Sequence, residues 1–267
     1  MGLINKERAA IYFIKNIPTE NAQLAFSGGK DSIVLYYLYK LAGIDIPIIY
    51  GNTTIDPMGT KKLIRNHYSD VRVLNPDKSF FQLVSEKGLP TRVGRFCCQE
   101  LKEKYGIGKN NIEGVRWEES SRRAKYEPEQ CDTRKWMKGA KHYYPIIDFT
   151  SKDVWQIINS NGLKTLPYYH SPYNWKRHGC VGCPLASGAQ QIKEYKVFPK
   201  YAKALIKAIE KNIELKPNNQ IAQNFTDPYE VFWWWISKLS IKEWFGNKEC
   251  EIFKEEYKEQ FFKIITK

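Results

Sequence analysis

The segment Ser27-Gly28-Gly29-Lys30-Asp31-Ser32 has the residue types an oxyanion needs, and it sits between an apolar strand-like stretch, Gln23–Phe26, and an apolar helix-like stretch, Ile33–Leu41. Two glycines let the backbone come close to an anion. The helix that follows offers free N–H groups and the positive end of its dipole. Ser27 and Ser32 add hydroxyl donors and Lys30 adds a charge. The spacing is not the Gly-x4-Gly-Lys-Ser/Thr of a Walker loop, so generic P-loop NTPase chemistry is disfavoured. The plainer alternative is a glycine turn that only enters a helix.

Two further groups of residues carry chemistry. In Gly114-Val115-Arg116-Trp117-Glu118-Glu119-Ser120-Ser121-Arg122-Arg123, the guanidinium groups of Arg116 and Arg123 offer planar forks to phosphate or sulfate, and Glu119 could orient one of them. The alternative there is a charged helix start with i,i+4 ion pairs. The cysteines form the other group: Cys97 and Cys98 are adjacent, Cys180 and Cys183 form a C-x-x-C, and Cys131 and Cys250 stand alone. Two local pairs brought together by a fold make a four-thiolate site suited to zinc or to a [4Fe–4S] cluster, and spacing alone does not separate them. Cys131 is a further thiol, and His178 lies two positions before Cys180.

The elements that must position these groups alternate. Strands are predicted at Gln23–Phe26, Pro47–Tyr50, Val71–Leu74 and Asn111–Val115, with helices at Lys6–Ile17, Ile33–Leu41, Pro57–His67, Phe80–Glu86 and Cys98–Tyr105. Such alternation implies an α/β fold, a mostly parallel twisted sheet with helices on both faces. Right-handed crossovers place the functional loops at the carboxyl ends of the strands. Ser151–Asn161 is predicted as a helix with Ser151 as N-cap, Leu163–Gly188 as an ordered loop, and the chain from Gln190 as helices broken near Pro217–Asn219 and Asp227–Pro228. The expected organisation is a nucleotide-binding domain over residues 1–188 and a helical C-terminal extension over 189–267. Trp233-Trp234-Trp235 is expected to pack that extension.

Composition limits the function classes. Over 267 residues, 42 Lys and Arg against 29 Asp and Glu give a net charge of +13, which favours nucleotide phosphates or nucleic acid as partners. No apolar run approaches the roughly 20 residues that span a bilayer, and Met1–Arg8 has no signal-peptide core. A cytoplasmic protein with no membrane partner is expected. In that compartment six cysteines point to metal or redox chemistry rather than disulfides. Oligomeric state stays open.

Ser-Gly-Gly-Lys-Asp-Ser resembles the PP-loop of the ATP pyrophosphatase superfamily, and the wider pattern resembles the phosphoadenosine phosphosulfate (PAPS) reductase family within it. The likeness extends through Asn52-Thr53-Thr54-Ile55-Asp56-Pro57, the Gly114–Arg123 segment, Pro145–Phe149 and Asp153-Val154-Trp155, covering about residues 20–185. It implies an adenine nucleotide held by Ser27, Gly28, Gly29, Lys30, Asp31, Ser32, Asn52, Thr53, Gly114 and Glu119. Catalytic roles fall to Lys30, Asp31, Arg116 and Arg123, with Mg²⁺ near Asp31. Tandem cysteines with a C-x-x-C also resemble adenosine phosphosulfate (APS) reductases, which implies a [4Fe–4S] cluster on Cys97, Cys98, Cys180 and Cys183, and the likeness to family members with a single cysteine at the Cys97 position implies Cys131 as the alternative to Cys98.

Two activities compete. The Gly-Gly-Lys-Asp-Ser wording is the ATP-type loop, which implies cleavage between the α- and β-phosphates and adenylation of a substrate in sulfur transfer or nucleic-acid modification, with a sulfur-donor protein as partner. Sulfonucleotide reduction to sulfite is the alternative. That reaction uses a nucleophile in Glu-Cys-Gly-(Leu/Ile)-His, whereas Glu249-Cys250-Glu251-Ile252-Phe253 lacks the Gly and His, and flanking glutamates disfavour a thiolate. A non-catalytic nucleotide- or nucleic-acid-binding protein is a third reading.

Overall fold

The computed structural model describes residues 2–246 and residue 259. Cys250 lies outside the described residues. The chain forms two compact units: residues 1–52, 58–76 and 99–179 make the first, and residues 53–57, 77–98 and 180–267 the second.

The first unit holds the sheet. Its strands are β1 (Ala22–Ala25), β2 (Ile48–Gly51), β3 (Arg72–Leu74), β4 (Asn110–Glu113), β5 (Glu129–Cys131) and β6 (Lys141–Tyr143), in the order β3-β2-β1-β4-β6-β5. Every pairing is parallel except β5 with β6. The predicted mostly parallel α/β sheet is therefore the fold of this unit. Leu24 pairs with Ile48 on one side and Ile112 on the other, so β1 is central and buried on both faces. Strand order reverses direction between β1 and β4, and loops leaving the carboxyl ends of these two strands flank the resulting crevice.

Helices α1 (Leu3–Lys15), α2 (Lys30–Ala42), α3 (Thr60–His67) and α6 (Ser151–Ser160) belong to this unit. Ile33, Val34, Leu35 and Leu38 of α2 pack with Leu24, Ile112, Val154 and Ile157 in one core. Helix α6 is capped by Thr150, not by Ser151: the Thr150 hydroxyl accepts from the Asp153 N–H while the Asp153 carboxylate accepts from the Thr150 N–H. This reciprocal box needs a side-chain acceptor three residues after the cap, which Thr150 has in Asp153 and Ser151 lacks, since Val154 follows it at that spacing. Strands β5 and β6 had no counterpart in the predicted elements.

The second unit is helical: α4 (Phe80–Lys87), α7 (Gly188–Val197), α8 (Pro199–Leu215), α9 (Gln220–Asn224), α10 (Pro228–Ser237) and α11 (Ile241–Gly246). The boundary between the units falls within α5 (Phe96–Leu101). Helix α4 packs on α8, and α8 on α10. Trp233 and Trp235 are buried, and the Trp235 indole donates to the Pro90 carbonyl at 2.7 Å, so the tryptophan run is a packing element as expected. No helix among the described residues is long and apolar enough to cross a membrane.

Candidate functional site

The first unit carries the phosphate loop at the crevice between β1 and β4. Gly28 has φ +74°, a left-handed conformation in which a side chain would be strained. That turn folds the loop back on itself. The Ser27 N–H donates to Ser32 Oγ at 3.2 Å, the Gly29 N–H donates to Ser27 Oγ at 3.3 Å, and Ser32 Oγ donates to the Gly29 carbonyl at 2.9 Å. The Lys30 N–H donates to the Tyr169 hydroxyl at 3.0 Å. The N–H groups of Gly28, Asp31 and Ser32 have no acceptor among the described residues. Donors of this kind at the start of α2 are what an incoming oxyanion satisfies.

Asp31 stands between two cations. Its Oδ2 accepts from Lys30 Nζ at 3.0 Å and its Oδ1 from Arg116 Nε at 2.7 Å. Gly114, just after β4, lets that loop approach: a Cβ there would lie 2.9 Å from the Asp31 carbonyl. Arg116 is itself enclosed. Its Nη1 donates to Glu118 at 2.9 Å and to the Phe149 carbonyl at 3.0 Å, and its Nη2 to Ser151 Oγ at 3.4 Å. The guanidinium expected to meet nucleotide oxygens donates here to Asp31, Glu118, the Phe149 carbonyl and Ser151.

Glu119 accepts from the Arg116 N–H at 3.0 Å and pairs with Arg123, realising the i,i+4 alternative for Arg123. Burial works to raise the Glu118 carboxyl, but the Ser151 N–H and Arg116 outweigh it and hold it below its usual range. Burial pushes the Tyr169 phenol up, so it faces Lys30 as a neutral hydroxyl. Asn52 and Thr53 fall in different units. In the first, Asn52 Nδ2 donates to Asn75 Oδ1 at 2.9 Å; in the second, the Thr53 N–H donates to Asp56 at 3.1 Å.

All four cysteines of the expected cluster lie in the second unit, whereas Cys131 lies in the first, exposed on β5. Cys97 and Cys98 share a side-chain hydrogen bond that, with burial and the charges of Cys98, Cys180 and Cys183, drives the Cys97 thiol far up. The Cys180 thiol donates to Asp56 Oδ1 at 3.9 Å, and the Gly182 N–H between the paired cysteines donates to Glu194 at 2.7 Å. Among the described residues no three His, Cys, Asp or Glu form a group that could hold a single metal ion. The four cysteines are half-buried free thiols of one unit.

Sequence reasoning did not find a second polar centre of the first unit. His142 on β6 lies between Glu113 at 3.1 Å and Asp132 at 2.9 Å, and Asp132 also pairs with Arg134. Burial alone would lower the imidazole pKa, but the two carboxylates outweigh it and raise it. Tyr169 was likewise missed, because only the fold brings it to Lys30.

The first unit thus joins a mostly parallel α/β sheet to a Ser-Gly-Gly-Lys-Asp-Ser loop at the switch point of that sheet. Residues 21–186 match the phosphoadenosine phosphosulfate reductase domain, and the chain belongs to that family. Comparison with curated protein sequences gives no match. Among solved structures, the chain is similar to PAPS reductase from Candida auris in its phosphate complex, at 13% identity and TM-score 0.49, covering 66% of this chain and 87% of that one. It is also similar to Candida glabrata FMN adenylyltransferase with FAD and pyrophosphate, at 15% identity and TM-score 0.49, covering 67% and 65%. A third is a U34-tRNA thiolase from Methanococcus maripaludis with its [4Fe–4S] cluster, at 13% identity and TM-score 0.44, covering 84% and 80%.

Proposed function

We propose that this chain is a PP-loop enzyme that cleaves ATP between the α- and β-phosphates and uses the adenylate in sulfur transfer or nucleic-acid modification. The observation that carries this reading is the set of open N–H groups at Gly28, Asp31 and Ser32, beside Lys30, where β1 meets α2. In this reading those donors and Lys30 hold the departing pyrophosphate, whose charge grows as the α–β bond breaks. A substrate oxygen attacks the α-phosphorus and pyrophosphate leaves; a sulfur nucleophile then displaces AMP. Charge neutralisation and positioning carry most of the rate.

Asp31 would hold Mg²⁺, which enters such sites through one or two carboxylates and the substrate phosphates. Its two oxygens accept one hydrogen bond each from Lys30 and Arg116, which leaves lone pairs for a metal. Arg116 fixes the direction in which that carboxylate points. Cys97, Cys98, Cys180 and Cys183 would hold a [4Fe–4S] cluster, with zinc as the alternative occupant. When bound, the cluster supplies redox-active, sulfur-binding iron.

The family's own description favours a second reading, reduction of APS or PAPS to sulfite with a thiol donor. Anaerobically prepared protein offered ATP, APS and PAPS in parallel, with thioredoxin, tells them apart. AMP and pyrophosphate from ATP without sulfite support the first reading. Sulfite release that disappears in Cys250→Ser overturns it in favour of the second.

A further inference from the structure

From Val154 to Gly179 the chain has no Asp or Glu, yet it carries Lys164, His170, Lys176, Arg177 and His178. All of this lies in the first unit. Lys176 and Arg177 are exposed and make no ion pair among the described residues. Three rings accompany them. Tyr168 and Trp175 stack with centroids 5.0 Å apart and planes at 23°. Tyr173 meets Tyr168 edge-on at 5.2 Å and Trp175 at 6.3 Å, and remains 39% exposed.

The turn that presents Tyr173 is held in place. The N–H groups of Tyr173 and Asn174 both donate to the His170 carbonyl at 3.0 Å, and the Trp175 N–H donates to the Tyr168 carbonyl at 2.8 Å. The Tyr168 hydroxyl donates to the Met58 carbonyl at 2.9 Å. A ring fixed toward water beside two unpaired cations matches the chemistry of a nucleic-acid strand, because every base has a face that stacks and every linkage has a phosphate. In a duplex the base faces are already covered, so the ring selects a single strand. An acidic peptide would use the cations and leave the ring without a role. The segment is also continuous with the phosphate loop: Tyr169 accepts from the Lys30 N–H at 3.0 Å, and a Cβ at Gly29 would lie 3.9 Å from the His178 Cβ.

We propose that the Tyr168–Arg177 segment docks a single-stranded nucleic acid, with a base on Tyr173 and phosphates at Lys176 and Arg177, and leads it to the phosphate loop. This names the acceptor class of the proposed function and rests on that reading for why a strand should be led there.

The test is fluorescence anisotropy of the full chain with labelled oligouridylate and oligothymidylate, measured without ATP. Tyr173→Ala should weaken strand binding about tenfold while Tyr173→Phe binds as the original does. The double variant Lys176→Ala/Arg177→Ala should reduce the slope of log affinity against log salt by about 1.4, and it serves if Tyr173→Ala melts early. Binding of neither strand overturns the proposal, as does a Tyr173→Ala variant that binds like the original or a polyglutamate peptide that competes equally with both. Strand binding without ATP cleavage would keep this proposal and defeat the proposed function; ATP cleavage without strand binding would do the reverse.

Discussion

Arg116 donates from Nε to Asp31 Oδ1 at 2.7 Å, and this contact ties the loop after β4 to the loop after β1 across the switch point of the sheet. The arginine side chain is 3% exposed and the aspartate 15%, so neither charge is easily satisfied by water alone. Removing one partner from such a pair costs more than the pair contributes, because the other charge stays behind.

Arg116→Ala should therefore destabilise the protein by on the order of 3 kcal/mol. Arg116→Lys should lose less stability but still lose activity, since a single ammonium cannot serve Asp31, Glu118 and the Phe149 carbonyl together. Urea titration of the two variants beside nucleotide turnover checks both statements.

Gly114→Ala tests the approach of the two loops. The added methyl would stand 2.9 Å from the Asp31 backbone carbonyl and 3.1 Å from the Ser32 nitrogen, so the phosphate loop must shift. A displacement near 1 Å in a positioning element reduces turnover about 100-fold. Steady-state kinetics should show the loss mainly in kcat, and the melting temperature should fall as well, because the atoms in the way are backbone.

His142 predicts a pH dependence. Its folded pKa is raised above the ordinary 6.5 by Glu113 and Asp132, so folding stabilises the imidazolium. The stabilisation is fully present below the unfolded pKa and is lost as pH rises through the higher folded value. Thermal melting should thus fall as pH rises above 6.5, and His142→Gln should flatten that slope.

Cysteine substitutions divide by unit. Iron and sulfide content after anaerobic purification should drop in Cys97→Ala, Cys98→Ala, Cys180→Ala and Cys183→Ala. Cys131→Ala should retain both, because Cys131 belongs to the first unit and the other four to the second. Equimolar zinc without iron would replace the cluster in this picture.

What the sequence made legible was what local chemistry dictates. Strand β1, the glycine turn and α2 announce themselves by an apolar run, two glycines and a second apolar run. Strands β5 and β6 do not: Glu129–Cys131 is a three-residue antiparallel edge with exposed ends, too short and too polar to show a period of two. The break at Phe198 between α7 and α8 is marked in the sequence by Pro199 at the first position of α8. Arg116 was recognisable as a candidate beside the loop, but its direction was not, since Asp31, Phe149 and Ser151 come from separate segments. The pairings of Tyr169 with Lys30 and of His142 with Asp132 depend in the same way on tertiary contact.

ATP labelled in turn at the α- and γ-phosphates tests the central claim most directly, with the sulfur donor and a single-stranded acceptor present. Label from the α-position should appear in AMP and label from the γ-position in pyrophosphate, in equal amounts, and both should vanish in Asp31→Ala. Release of ADP and inorganic phosphate, or cleavage that persists in Asp31→Ala, would contradict it.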